Sequence, residues 1–129
     1  MTQDKYANIY NKVKEAMEKD RLFLRPELSL VLLSRLVGTN TVYLSQAINQ
    51  GFGCSFTRLV NKYRIEYLVK ESLRTNVNIE ILVGKYGFWS RSTFYDAFRL
   101  YTGMTPRRYM EKQKTGIDEG DGSTAYSTN

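Results

Sequence analysis

The sequence predicts an all-α protein of about seven helices, arranged as two small subdomains joined by a long connecting helix. Three observations carry this. Apolar residues recur at three- and four-residue spacing in one segment after another. Glycines at 38, 53, 87 and 103 punctuate those segments, each near a Ser, Thr or Asn suited to capping the next helix. The chain also repeats itself: Leu30 aligns with Ile79, Leu33 with Leu82, Val37 with Tyr86 and Gly38 with Gly87, an offset of 49. Leu44 then aligns with Phe94, Ile48 with Phe98, Gly53 with Gly103 and Phe56 with Pro106, an offset of 50, so the second copy has an inner turn one residue longer.

Each element follows in order. Tyr6, Ile9, Tyr10, Val13, Ala16 and Met17 form the apolar stripe of an amphipathic helix over residues 5–20. Leu22-Phe23-Leu24-Arg25-Pro26 leads out of it through a loop. Ser29 caps a short helix bearing Leu30, Leu33, Leu36 and Val37, which Gly38 ends. Asn40 caps the next, with Leu44 and Ile48 inward and Thr41, Val42, Ser45, Gln46 and Asn49 outward. From Ser55 to about Arg74 there is neither glycine nor proline. A helix of that length spans roughly 30 Å. Its apolar residues cover more than one face, as a helix serving a subdomain at each end requires.

The second copy begins with Ile79, Leu82, Val83 and Tyr86 on a short amphipathic helix, which Gly87 closes. Ser90 caps a helix with Phe94, Ala97, Phe98 and Tyr101 facing a core and Arg91, Ser92, Tyr95, Asp96 and Arg99 outward. Gly103 closes it, and Thr105-Pro106 opens the last helix with a cap and a proline at the first helical position. The organisation is therefore residues 1–55, the connecting helix 56–74, residues 75–114, and a Gly/Ser-rich acidic segment over 115–129 that reads as a disordered tail.

Composition narrows the function. The net charge is +6, and residues 21–114 hold 15 Lys and Arg against 6 Asp and Glu, a net of +9. A basic middle favours a polyanionic partner. No histidine occurs, which removes His-based triads and imidazole metal sites. The one cysteine, Cys54, allows no intrachain disulfide and reads as a small packing residue in a reduced cytoplasm. No enzyme, metal or cofactor is indicated, and no apolar run reaches membrane-spanning length.

Two short helices around a glycine turn, the second with a basic and polar outer face, read as a helix-turn-helix. The string GF-x-S-x-S-x-F-x-x-x-F-(x)4-G-M-T-P over residues 87–106 resembles the second helix-turn-helix of AraC-type (AraC/XylS) transcription regulators. The resemblance covers roughly residues 28–110, and the duplication and extra turn residue are similar to that family's. It implies homeodomain-like subdomains and a DNA-binding, bacterial, cytoplasmic regulator. The pair Arg64-Ile65 stands where the family carries Arg-Ile in its connecting helix, with Arg64 expected to hold carbonyls or an ion pair. The family's full-length members usually add a sensing or dimerising domain. The chain is thus either a standalone regulator or the C-terminal domain of a larger one that dimerises elsewhere, with RNA polymerase a candidate second partner.

A recognition helix presents its first turn and a half to base edges in the major groove. The expected base contacts are Thr41, Val42, Ser45 and Gln46 in the first copy and Arg91, Ser92, Tyr95 and Asp96 in the second. Arginine binds guanine O6 and N7 through two hydrogen bonds, glutamine binds adenine likewise, and Val42 suits a thymine methyl. Expected phosphate contacts are Asn40, Asn49, Ser90, Arg99, Arg107 and Arg108, together with the helix N-termini near Ser29, Asn40, Asn78 and Ser90. Some residues depart from the family pattern. Its small residue in each first helix is Ser34 in one copy and the bulkier Val83 in the other, which predicts a slightly opened second motif. Asp96 places a carboxylate where a basic or neutral residue is usual, and the first recognition helix has no arginine. The leading expectation is a sequence-specific duplex-DNA regulator with two recognition helices in successive major grooves, reading the first half-site more strongly. The alternative is a helical protein-interaction module that keeps the fold and binds DNA weakly.

Overall fold

The computed structural model describes residues 2–115 as seven α-helices and one 3-10 turn. They are α1 (Thr2–Glu18), the turn Leu22–Leu24, α2 (Leu30–Val37), α3 (Thr41–Phe52), α4 (Phe56–Thr75), α5 (Ile79–Leu82), α6 (Arg91–Thr102) and α7 (Pro106–Thr115). No strand occurs among the described residues. Beyond Thr115, the acidic tail lies outside them. The chain divides into two compact units, Met1–Arg64 and Ile65–Asn129, and the division falls inside α4.

The repeat extends to the backbone bonds that start and stop each helix. In the first unit the Ser29 hydroxyl accepts from the Leu32 N–H at 3.1 Å and the Asn40 side chain from the Tyr43 N–H at 2.8 Å. In the second, Asn78 accepts from the Glu80 N–H at 2.9 Å and Ser90 from the Thr93 N–H at 3.1 Å. The turns match bond for bond. The Gly38 N–H donates to the Arg35 carbonyl and the Thr39 N–H to that of Ser34; the Gly87 N–H donates to Gly84 and the Phe88 N–H to Val83. Gly38 and Gly87 take the left-handed φ of 77° and 91° that such a helix stop needs. Because Phe88 takes the place of Thr39, the extra residue of the second turn is Trp89.

The two copies differ before the turn. α2 runs for eight residues, whereas α5 closes after four, and the expected longer helix through Tyr86 gives way to hydrogen-bonded turns. Gly84 stands where the first copy has Arg35, and glycine inside a helix costs about 1 kcal/mol. Val83 and Tyr86 are nonetheless buried, so the shortened helix still delivers its apolar side chains.

In the first unit, Val13 and Met17 of α1, Phe23, Leu33, Leu44, Ile48 and Leu59 are the most buried apolar side chains. Phe23 stacks on Tyr63 with centroids 5.7 Å apart, and the Tyr63 hydroxyl donates to Glu18 at 2.9 Å. Arg64 is buried and donates from Nε to the Phe23 carbonyl at 2.6 Å and from Nη2 to that of Arg25 at 2.8 Å, the carbonyl alternative of the two roles expected of it. Burial holds its guanidinium below the ordinary arginine value. In the second unit a ladder of edge-to-face rings forms the centre, Phe88 on Phe94, Phe94 on Phe98 and Phe98 on Tyr109, at 5.3–5.5 Å. Tyr101, expected to face the core, is half-buried instead and its hydroxyl donates to Glu66. Desolvation first, and then that bond, raise its phenol above the ordinary value.

Candidate nucleic-acid interface

Each unit presents one twelve-residue helix whose N-cap is a short polar side chain. On α3, Leu44, Ala47 and Ile48 are buried; Val42, Gln46 and Asn49 are exposed, and Thr41 and Ser45 are half-buried. Val42 is 61% exposed, a large fraction for an apolar side chain on a helix. On α6, Phe94, Ala97 and Phe98 are buried, while Arg91, Ser92, Asp96 and Arg99 are exposed and Tyr95 is half-buried. In both helices the expected base-reading set therefore lies on the outward face. Arg107 and Arg108 are exposed on the first turn of α7.

The polar side chains are not uniformly idle. Asn40 and Ser90 use their oxygens as caps, which leaves their role at a phosphate to the backbone N–H groups of the first turn. The Asn49 amide donates to the Ser45 carbonyl of its own helix at 2.9 Å. Arg107 pairs with Glu111 at 3.6 Å, one helical turn on, a fully surface-exposed pair of small energetic weight.

Two sets of neighbours join residues far apart in the sequence. The start of α1 flanks α3: the Tyr6 hydroxyl donates to Gln46 Oε1, and Lys5 Nζ sits 3.8 Å over the Tyr43 ring. Tyr10 packs on Phe52 with centroids 4.5 Å apart. Lys5 and Tyr6 thus border the outward face of α3. In the second unit, Glu80 of α5 takes both Arg91 and Tyr95: one carboxylate oxygen accepts from Arg91 Nη2 and the other from the Tyr95 hydroxyl. A glutamate in the first turn of a helix ordinarily signals a dipole contact, which is why the sequence points elsewhere.

Among the described residues no group of three or more His, Cys, Asp or Glu is placed to hold a metal. Cys54 is half-buried. No helix of the described residues is long and apolar enough to cross a membrane.

Two capped helix pairs, each with a left-handed glycine turn and an outward polar face on its second helix, define a duplicated helix-turn-helix protein. A family model described as a helix-turn-helix domain matches residues 33–112. The chain belongs to the AraC-type helix-turn-helix family of transcription regulators, a class of DNA-binding domains rather than of enzymes. An uncharacterized HTH-type transcriptional regulator of Staphylococcus aureus is 29% identical over 99 residues, which is 77% of this chain and 13% of that protein. The transcriptional regulatory protein YesN of Bacillus subtilis is 29% identical over 97 residues, 74% of this chain and 22% of its own length. The chain therefore spans less than a quarter of the length of these relatives. Among solved structures, a Listeria innocua protein of unknown function is 35% identical with a TM-score of 0.64, covering 78% of this chain and 92% of that one. The C-terminal domain of AraT, a response regulator from Geobacillus stearothermophilus, shares the fold at a TM-score of 0.64 and 24% identity, over 86% of this chain and 84% of that domain.

Proposed function

We propose that the chain binds double-stranded DNA sequence-specifically, with α3 and α6 as recognition helices in two successive major grooves. The observation that carries this reading is the repeated frame. Two helices of equal length are started by equivalent caps and stopped by glycines with φ of 75° and 77°, and each turns its expected base-reading set outward. Arg91 is the discriminating reader of α6 and Val42 that of α3. Backbone N–H groups at Asn40 and Ser90, with Arg99, Arg107, Arg108 and Lys5, hold phosphates. The +9 of residues 21–114 supplies the long-range attraction.

Selection of sites from a random duplex pool, followed by titrations across salt, tests the reading. A recovered consensus bound with an affinity that falls steeply with salt is the expected result. A second reading, a protein-interaction module, draws on Trp89 and Ile81, which are 75% and 73% exposed. It predicts no consensus and a shallow salt dependence.

A further inference from the structure

We propose that Glu80 is a positioning residue for base readout. From α5 it holds the Arg91 guanidinium and the Tyr95 hydroxyl in one arrangement on α6, so that Arg91 is presented to a base edge instead of seeking phosphate. The inference rests on the proposed function above and assigns the device that makes its second half-site selective.

The geometry is specific. Glu80 has its backbone N–H fixed by the Asn78 side chain at 2.9 Å, so the carboxylate leaves a pinned main chain. Its two oxygens take two different residues, Arg91 through Nη2 and Tyr95 through its hydroxyl. Arg91 and Tyr95 lie four residues apart on one helix face, and both belong to the expected base-reading set. A guanidinium carries five N–H donors in a rigid fork, and Glu80 engages Nη2 alone. A two-donor edge remains for guanine O6 and N7 while the carboxylate stays bound.

Charge acts in the same direction. A free arginine at the first turn of a recognition helix is attracted to phosphate wherever the duplex is met. Phosphate attraction carries no sequence information. With Glu80 beside it the pair is close to neutral, so general attraction weakens. The fork still offers directional hydrogen bonds to a base. The side chains of Arg91 and Glu80 are 67% and 37% exposed, so a groove can reach them.

The test compares the chain with its Glu80→Gln, Tyr95→Phe, Arg91→Ala and Glu80→Gln/Arg91→Ala variants. Each is titrated against a duplex selected from a random pool, that duplex substituted at each position, and an unrelated duplex. Glutamine keeps the size of the side chain and removes its charge. The expected result for Glu80→Gln is a roughly threefold to tenfold loss of discrimination at one base pair, the scale of one ordinary net hydrogen bond. Affinity for the unrelated duplex is unchanged or higher, with a steeper salt slope. Tyr95→Phe, which leaves the charge in place, shows a smaller loss in the same direction and carries the test if Glu80→Gln does not fold. In the Arg91→Ala background Glu80→Gln changes discrimination no further at the base pair that Arg91 reads. Unchanged discrimination in Glu80→Gln overturns the proposal. So does a parallel fall in specific and unspecific affinity, which would mark Glu80 as a purely structural part of α5. If Arg91→Ala itself leaves discrimination intact, the assignment of Arg91 as a reader falls first and this proposal with it. If Arg91→Ala relaxes it and Glu80→Gln does not, the role of Glu80 alone is lost.

Discussion

Arg64 shows how a charged side chain can be structural. Its guanidinium is buried and spends itself on the carbonyls of Phe23 and Arg25, two residues in a segment with little regular structure of its own. Arg64→Ala strands those acceptors and is expected to lower stability by about 1–3 kcal/mol, measured by urea unfolding. Arg64→Lys should recover only part, since an ammonium cannot serve two carbonyls in a planar fork. Glu71 makes a pH-dependent counterpart. The Tyr86 hydroxyl, and then Lys85 at 2.9 Å, hold its carboxyl below the usual carboxylate range. A folded-state value below the unfolded one means that the stabilisation is fully present above about pH 4.3, the ordinary carboxylate value, and fades as pH falls through the folded value. Thermal melts should therefore show Glu71→Gln less stable than the parent at pH 7, with the gap narrowing by pH 3.

At the scale of elements, two glycines that look alike in the sequence behave oppositely. Gly51 lies in α3 where a Cβ would come within 2.2 Å of the Tyr10 ring, so it lets α1 lie close against α3. Gly51→Ala gains helix propensity of about 1 kcal/mol but must displace a ring already packed on Phe52. Overpacking of this kind costs about 1–3 kcal/mol, so net destabilisation is expected, with α1 the element that loosens. Gly84 has open space around it, and its φ is not in the left-handed region. Gly84→Ala should stabilise by about 0.4–1 kcal/mol, through the entropy of the unfolded chain. Chemical denaturation of both variants checks the pair, and opposite signs are the expected result.

For the whole molecule, the proposed function requires two units in one chain to act on one duplex. Major grooves on one face of B-form DNA recur about every 34 Å. Inserting half a helical turn between the two half-sites should reduce binding to that of a single motif, read by titration. Undiminished affinity after the insertion would show that the motifs do not bind together, and the bipartite mechanism would have to be dropped. Footprints are expected to be stronger over the half-site read by residues 41–49. In the proposed docking the second helix would carry the Asp96 carboxylate toward a polyanion, and bending DNA to seat both helices fully would cost a few kcal/mol.

What the sequence determined by itself is the periodic part of this protein. Helical spacing, glycine stops, polar caps and the offset of 49 then 50 are local properties, and local rules decode them. They were enough for the helix order and the outward faces of α3 and α6, whereas a structural role for Arg64 came only from its place in the family's Arg-Ile pair. The tertiary structure decided matters that depend on residues distant in the chain. That Glu80 meets Arg91 and Tyr95, that Tyr6 meets Gln46, and that Tyr10 needs Gly51 cannot be read from spacing, because no periodicity relates residues on different helices. The shortening of α5 and the identity of Trp89 as the extra turn residue also waited for backbone bonds. An offset shows that a residue was inserted, but only the matched hydrogen bonds of Thr39 and Phe88 show where.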